Sequence, residues 1–318
     1  MTTRLLAACL FAATTCLTSS AWAAPGDRAL QDVQVLAADE MQGRATGTDG
    51  AAAARIHILQ RFAEIGVQPA YGRFQAPFVF ASADGASREG VNLVGQIPGR
   101  GPGPVLLITA HYDHLGVKDG EIFNGADDNA SGVAGLLAIA EAFAEEAPRH
   151  TVLFAVLDAE ELGLAGAKAL AANPPVPLSQ IALAINLDMI SKSAEGELYA
   201  AGAAHFPWLR PRLEAVAAAA PVQLRLGHDG PPWTGHDDWS EASDHAALGA
   251  AGVPWAYFGV EDHPEYHQPT DDVGGIPRDF FADAVATVVL AARRFDAELS
   301  TIAEAAKRPA PSAPEAAP

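Results

Sequence analysis

Cysteine is scarce in this sequence. The 318 residues include two cysteines, Cys9 and Cys16, and both lie in an N-terminal segment with the features of a removable signal peptide. The rest of the chain therefore has no disulfide framework, no thiolate nucleophile and no cysteine-based zinc site. Any metal ion must be held by histidine and carboxylate side chains.

Basic residues are also few. The chain has 20 Lys and Arg residues against 39 Asp and Glu residues, a formal net charge of −19. Such a surface repels phosphate backbones and anionic lipids, so we expect no nucleic-acid partner. A two-metal phosphoesterase is disfavoured as well, because its phosphate needs basic anchors.

Long apolar runs are absent after the N-terminal segment. No later stretch approaches the roughly 20 apolar residues of a membrane-spanning helix, so we expect no membrane span. Residues 1–23 combine Arg4, an apolar stretch from Leu5 to Leu17 and the small-x-small sequence Ala21-Trp22-Ala23. This pattern is typical of a signal peptide and its cleavage site. We therefore predict that the protein is exported, to a periplasm or out of the cell.

The remaining chain is predicted to form one domain, residues 24–300, followed by a Pro/Ala-rich disordered tail, residues 301–318. Short apolar runs typical of buried strands are Val105–Thr109, Thr151–Leu157, Ile181–Leu187 and Val253–Phe258. Segments with helical spacing are Arg28–Ala38, Ala51–Ile65, Ser131–Glu146 and Phe280–Leu299. This alternation predicts a three-layer α/β fold with a mostly parallel sheet and helices on both faces.

Polar side chains follow these predicted strands. His111 and Asp113 come after the first run, Glu160 and Glu161 after the second, Asp188 ends the third, and His267 lies beyond the fourth. Open α/β sheets bind ligands beyond the carboxyl ends of their strands. We therefore expect these side chains to meet at one edge of the sheet.

Each of these sequence patterns has a purely structural interpretation as well as a functional one. His111-Tyr112-Asp113 can be a surface sequence or a metal-binding imidazole oriented by a carboxylate. The segment from Asn124 to Gly132, NGADDNASG, can be a turn and helix cap or can supply a bridging carboxylate. Buried Asp is rare unless it is paired or metal-bound, so for Asp188 the ligand interpretation is favoured.

Together these motifs resemble those of the M28 family of zinc peptidases. The matching sequences are HYDHLG from His111, GADDNASG from Gly125, DAEELG from Asp158, NLDM from Asn186, SDH from Ser243 and YHQP from Tyr266, with DEMQGR from Asp39 upstream. The resemblance implies a zinc-peptidase fold of the phosphorylase/hydrolase-like type, a mixed sheet of about eight strands flanked by helices.

The resemblance also implies the roles of individual residues. Two zinc ions per chain are expected, with other divalent ions such as Co²⁺ able to substitute. Asp128 would bridge them, with Glu161 and His267 completing one site and His111 and Asp188 the other. Asp113 would orient His111, Glu160 would be the general base, and Tyr266 would donate to the developing oxyanion. The expected substrates are peptides with a free N-terminus.

Three other interpretations remain open at this point. Glutaminyl cyclases share the fold and much of the site but bind one zinc and catalyse an intramolecular transfer. A carboxypeptidase or dipeptidase specificity is the nearest alternative within hydrolysis. A non-catalytic binding domain is disfavoured, because no expected ligand and no expected base is missing from the sequence.

Overall fold

The computed structural model describes residues 25–230 and 237–307. The predicted signal peptide, with both cysteines, lies outside the described residues, as do residues 308–318 of the predicted tail. Residues 301–306 are helical, because the last helix runs to Ala306 and continues to bury its apolar face at Ile302. The described part of the predicted tail is therefore largely helical, which differs from the prediction, and the rest of the tail stays a prediction.

The helices of the described residues are α1 (Pro25–Leu36), α2 (Asp49–Ile65), α3 (Gly132–Glu145), α4 (Ala165–Ala172), α5 (Arg210–Ala217), α6 (His245–Ala250) and α7 (Arg278–Ala306). The strands are β1 (Gln68–Pro69), β2 (Gln75–Ala81), β3 (Ser87–Ile97), β4 (Val105–His111), β5 (Gly116–Lys118), β6 (Glu121–Phe123), β7 (Val152–Leu157), β8 (Ile181–Leu187), β9 (Glu197–Ala201), β10 (Gln223–Leu226) and β11 (Trp255–Gly259). The four apolar runs form β4, β7, β8 and β11, and the four helical segments form α1, α2, α3 and α7.

Within the described residues, nine strands form one mixed sheet in the order β1-β3-β7-β4-β8-β11-β9-β10, with β2 also paired to β3. Its centre is parallel, from β7 through β4 and β8 to β11. Antiparallel pairs flank this centre, where β3 meets β7 and β9 meets β11. The predicted mixed sheet is confirmed: its four central strands are parallel, and β10 also pairs in parallel with β9 at one margin.

The two faces of the sheet pack against different helices, because successive side chains of a buried strand point in opposite directions. Along β4, Leu106 and Ile108 lie in the core formed with α1, α2, α3 and α7. Leu107, between them, lies in a second core that includes Leu170 of α4 and Leu248 of α6. Helices therefore cover both faces of the sheet, so a site can open at the ends of the strands.

Helix α7 packs against the neighbouring layer because one of its faces is apolar. Its buried residues recur at helical spacing, for example Phe281, Val285, Val288 and Phe295, while its other face is polar or exposed. An apolar stripe of this kind packs against a neighbouring layer. Among the described residues, no helix combines the length and the apolar character needed to cross a bilayer.

Candidate metal centre

The predicted site residues lie at the carboxyl edge of the parallel strands. His111 is the last residue of β4, Asp188 directly follows β8, and Glu160 and Glu161 follow β7 by a short turn. His267 lies in the connection from β11 to α7. Parallel neighbours end at the same edge, and this is why residues far apart in sequence come together here.

Asp128 stands between two groups of these side chains. Its Oδ1 lies 3.4 Å from Nε2 of His111, which in turn lies 3.2 Å from Oδ1 of Asp188. Its Oδ2 lies 3.1 Å from Nε2 of His267, which lies 3.5 Å from Oε2 of Glu161. We call His111, Asp128 and Asp188 the first group, and Asp128, Glu161 and His267 the second group. The structure thus brings all five predicted ligands together around one shared carboxylate.

The second group has a further imidazole that the sequence motifs gave no role. Nδ1 of His114 lies 2.8 Å from Oε1 of Glu161 and 3.6 Å from Oδ2 of Asp128. These three side chains are close enough to contribute to one metal site. The HYDHLG motif contains His114, but only the fold shows that it faces Glu161.

The two groups differ in their access to solvent. The side chains of His111, Asp128, Asp188 and Glu161 are at most 11% exposed, whereas that of His267 is 37% exposed. The Tyr266 ring stacks on the His267 imidazole with a centroid distance of 3.9 Å. The site therefore opens on the side of Tyr266 and His267, where a substrate can approach.

Crowded carboxylates set the electrostatics of the site. Hydrogen bonds to Asp128 and Glu161 raise the pKa of His267 to about 10. Burial lowers the pKa of His111, but the negative charges of Asp188 and Glu160 raise it well above its ordinary value. Carboxylates that draw protons onto imidazoles in this way also favour metal cations, which replace those protons on binding. Imidazole nitrogens and carboxylate oxygens are the donor set that zinc accepts in proteins without cysteine.

Asp113 contacts both His111 and the turn that carries Glu160 and Glu161. Its carboxylate accepts hydrogen bonds from the backbone N–H groups of Glu160, at 3.0 Å, and Glu161, at 3.3 Å. Nδ1 of His111 lies 3.1 Å from the backbone carbonyl oxygen of Asp113 and 3.7 Å from its carboxylate. The contact with His111 at hydrogen-bond distance therefore runs through the backbone of Asp113, while its carboxylate holds the turn that carries the two glutamates.

Glu160 sits in an acidic, largely enclosed position. Burial raises the pKa of Glu160 to about 10; the charge of His111 opposes this, and the negative charges of Asp244 and Asp188 add to it. Ala159, directly before it, has a left-handed backbone with φ of 58°. Non-glycine residues in this conformation cluster at functional sites, where the surrounding structure holds them.

The loop that carries Asp128 is held by the loop that carries His267. The Asp271 carboxylate accepts hydrogen bonds from the backbone N–H groups of Asp127 and Asp128, each at 3.1 Å. Nζ of Lys192 pairs with the same carboxylate at 2.8 Å, and both side chains are almost fully buried. A shift of the His267 loop would therefore move the shared carboxylate as well.

Arg44, in the upstream DEMQGR sequence, links segments of the backbone next to the site. Its side chain is fully buried, and its guanidinium donates to the backbone carbonyl oxygens of Leu36, Tyr112, Asn124 and Gly125 at 2.6–2.9 Å. Burial lowers the pKa of Arg44 to about 10, against the opposing charge of Asp128. Arg44 thus ties the end of β4 to the loop that leads to Asp128.

Replacing Arg44 by Met is expected to lower the free energy of unfolding by at least about 3 kcal/mol, because four buried carbonyl groups lose a charged donor together. Chemical denaturation measures this change. Replacing the exposed Arg100 by Met removes the same charge at the surface and is expected to cost less than about 0.5 kcal/mol. Equal effects of the two substitutions would refute the supporting role of Arg44.

The chain resembles known proteins in both sequence and fold. The profile of peptidase family M28 matches residues 92–292, a range that includes both groups of side chains. The aminopeptidase YwaD of Bacillus subtilis is 28% identical over 187 residues, which cover 55% of this chain and 37% of that protein. A vacuolar membrane protease of Lachancea thermotolerans is 39% identical over 101 residues, which cover 30% of this chain and 10% of that protein. The chain thus spans well under half the length of these curated relatives.

Solved structures with the same fold include enzymes of two kinds. A Zn-dependent exopeptidase from Parabacteroides distasonis superposes with a TM-score of 0.67 and 19% identity, over 84% of this chain and 97% of that one. A glutaminyl cyclase from Porphyromonas gingivalis superposes with a TM-score of 0.68 and 20% identity, over 86% of this chain and 98% of that one. At this level of identity the likeness establishes the fold alone.

Proposed function

This chain belongs to peptidase family M28, and from that premise we propose that it is a zinc-dependent aminopeptidase that hydrolyses the N-terminal bond of peptides. The observation that supports this most strongly is the position of Asp128, whose two oxygens face two separate groups of metal-binding side chains. We also propose export to a periplasm or out of the cell, on the strength of the signal-peptide pattern in residues 1–23.

The site would hold two zinc ions. The first group of side chains would hold one ion and the second group the other, with Asp128 as a member of both groups. Bound zinc supplies a Lewis acid that lowers the pKa of water and polarises the scissile carbonyl group. The burial of the carboxylates supports this assignment, since buried carboxylates without compensating cations are costly.

Side chains of the protein would accept and return the proton that moves in the reaction. The positive charge of zinc bound beside it would lower the raised pKa of Glu160. The ionised carboxylate would then take a proton from the water that attacks the scissile carbonyl carbon and return it to the amine that leaves. Asp113 holds the turn on which Glu160 lies. Tyr266 donates a hydrogen bond to the oxyanion that develops as the carbonyl becomes tetrahedral. The excess of carboxylates favours a substrate that brings a positive charge, the free α-ammonium group of a peptide.

The nearest alternative is a glutaminyl cyclase, which shares this fold. Two features support hydrolysis over cyclisation. Both groups of metal-binding side chains are complete around Asp128, and Glu160 stands beside them as a base. A carboxypeptidase or dipeptidase of the same fold differs in the end of the substrate that it recognises, and substrate blocking distinguishes these cases.

A panel of blocked substrates tests the proposed specificity. We expect hydrolysis of aminoacyl amides and short peptides with a free N-terminus, no turnover after N-acetylation, and little effect of C-terminal amidation. The metal-depleted protein is the control for background cleavage. Cleavage that requires a free C-terminus would indicate a carboxypeptidase, and conversion of N-terminal Gln to pyroglutamate without hydrolysis would indicate a cyclase; either result overturns the proposal.

A further inference from the structure

Among the described residues, His114 is the one imidazole next to Asp128 to which the family motifs assign no role. Its side chain is fully buried, and its Nδ1 lies 2.8 Å from Oε1 of Glu161. Gly125 packs directly against its ring, since a Cβ built on Gly125 would lie 2.5 Å from Cδ2 of His114. The close approach of Gly125, which has a left-handed φ of 59°, thus restricts the movement of the imidazole.

The two carboxylate oxygens of Glu161 face different imidazoles. Oε1 faces Nδ1 of His114, whereas Oε2 lies 3.5 Å from Nε2 of His267. An oxygen that accepts a hydrogen bond at 2.8 Å has its position fixed, and the geometry of the carboxylate then fixes the other oxygen. His114 therefore sets the direction in which Oε2 points, toward the second group.

The distances favour a hydrogen bond over metal ligation by His114. Two ligand atoms on one tetrahedral zinc, each bonded at about 2.0–2.1 Å, lie roughly 3.3 Å apart. The separation of 2.8 Å between Nδ1 of His114 and Oε1 of Glu161 is shorter and suits an N–H donor and a carboxylate acceptor. Nε2 of His114 is buried and has no hydrogen-bond partner among the described residues, so Nδ1 is the nitrogen through which the ring contacts Glu161.

We propose that His114 is a positioning residue that holds Glu161 for the second zinc and thereby sets the affinity of that site, without being a ligand itself. This inference rests on the proposed two-zinc function. The two groups are then supported in different ways. In the first group a backbone carbonyl, that of Asp113, holds a histidine ligand; in the second group a histidine holds a carboxylate ligand. Loss of such an outer partner typically weakens metal binding by 10–100-fold.

The test uses a matched pair of substitutions in the full chain. His114→Leu removes the donor, whereas His114→Asn places an amide N–H close to the position of Nδ1. Zinc affinities of the metal-depleted proteins are measured by competition with a chromogenic chelator. We expect His114→Leu to bind the second zinc about 10–100-fold more weakly with the first unchanged, and His114→Asn to stay within a few fold of the wild type. If the Leu variant does not fold, His114→Ala removes the donor without adding bulk.

Cobalt substitution separates a positioning residue from a ligand. If His114 acts as proposed, the visible absorption spectrum of the Co²⁺-loaded Asn variant keeps the band positions and intensities of the wild type. A changed spectrum together with equally weak binding in the Asn and Leu variants would make His114 a ligand and overturn the proposal. Wild-type affinity in all variants would also overturn it. A wild-type protein that binds only one zinc would instead overturn the proposed function, and this inference with it.

Discussion

Replacing Glu160 by Gln is expected to lower kcat by two to four orders of magnitude while the zinc content of the protein stays the same. The amide has nearly the size and shape of the carboxylate, so the turn held by Asp113 can persist, but it cannot accept the proton of the attacking water. Glu160 belongs to neither the first nor the second group, so loss of its charge should leave the proposed ligands in place. Steady-state kinetics and metal analysis of the same sample measure the two quantities.

Glu145→Gln is the control for this substitution. Glu145 is exposed at the end of α3, so the same chemical change there should leave kcat unaltered. The assignment of Glu160 as the base is contradicted if kcat of the Gln variant stays within a few fold of the wild type. It is also contradicted if activity falls only in proportion to lost zinc.

Replacing Asp128 by Asn is expected to remove both zinc ions and all activity. The Asp128 carboxylate is the one described side chain that faces both groups, with Oδ1 at 3.4 Å from His111 and Oδ2 at 3.1 Å from His267. An amide nitrogen in place of either oxygen presents hydrogen-bond donors and no charge to a cation, so one group must lose its ligand and both lose the negative charge. Metal analysis after gel filtration measures the loss.

Substitution of unshared ligands provides the contrast. Asp188→Asn affects only the first group and Glu161→Gln only the second, so each variant is expected to keep about one zinc per chain. If Asp128→Asn also keeps one zinc, the two groups do not share this carboxylate in solution. If Asp188→Asn loses both, the first group is required for the second to form, and the two groups cannot be treated as separate sites.

The central part of the fold could be predicted because its strands are buried on both faces. Strands such as β4 and β8 are continuous apolar runs, and the polar residue after each one marks the edge where ligands gather. The strands outside this centre gave no such signal. In β2, half-buried Phe78 and Phe80 alternate with exposed Val79, so the residues after Gln75 are apolar on both faces and the pairing with β3 is decided by the fold.

The site residues that could be predicted are those whose role follows from the chemistry of their own side chain. His111, Glu161 and Asp188 have chemistry that a sequence position reveals, but the partners of a supporting residue depend on the fold. Arg44 is separated by 81 residues from the Gly125 carbonyl that it binds. The contact of His114 with Glu161 likewise joins residues 47 positions apart. For Asp113 the sequence indicates a link to His111, whereas the backbone N–H groups that its carboxylate binds become visible only once β4 and β7 lie side by side.

The shared role of Asp128 is tested by the zinc content of the purified wild-type protein, measured by mass spectrometry with zinc buffered at low free concentration. We predict two zinc ions per chain, and hydrolysis of unblocked aminoacyl amides that requires both. A single zinc per chain with full activity would contradict the shared role of Asp128, and no bound zinc in an active protein would contradict the proposed chemistry as a whole.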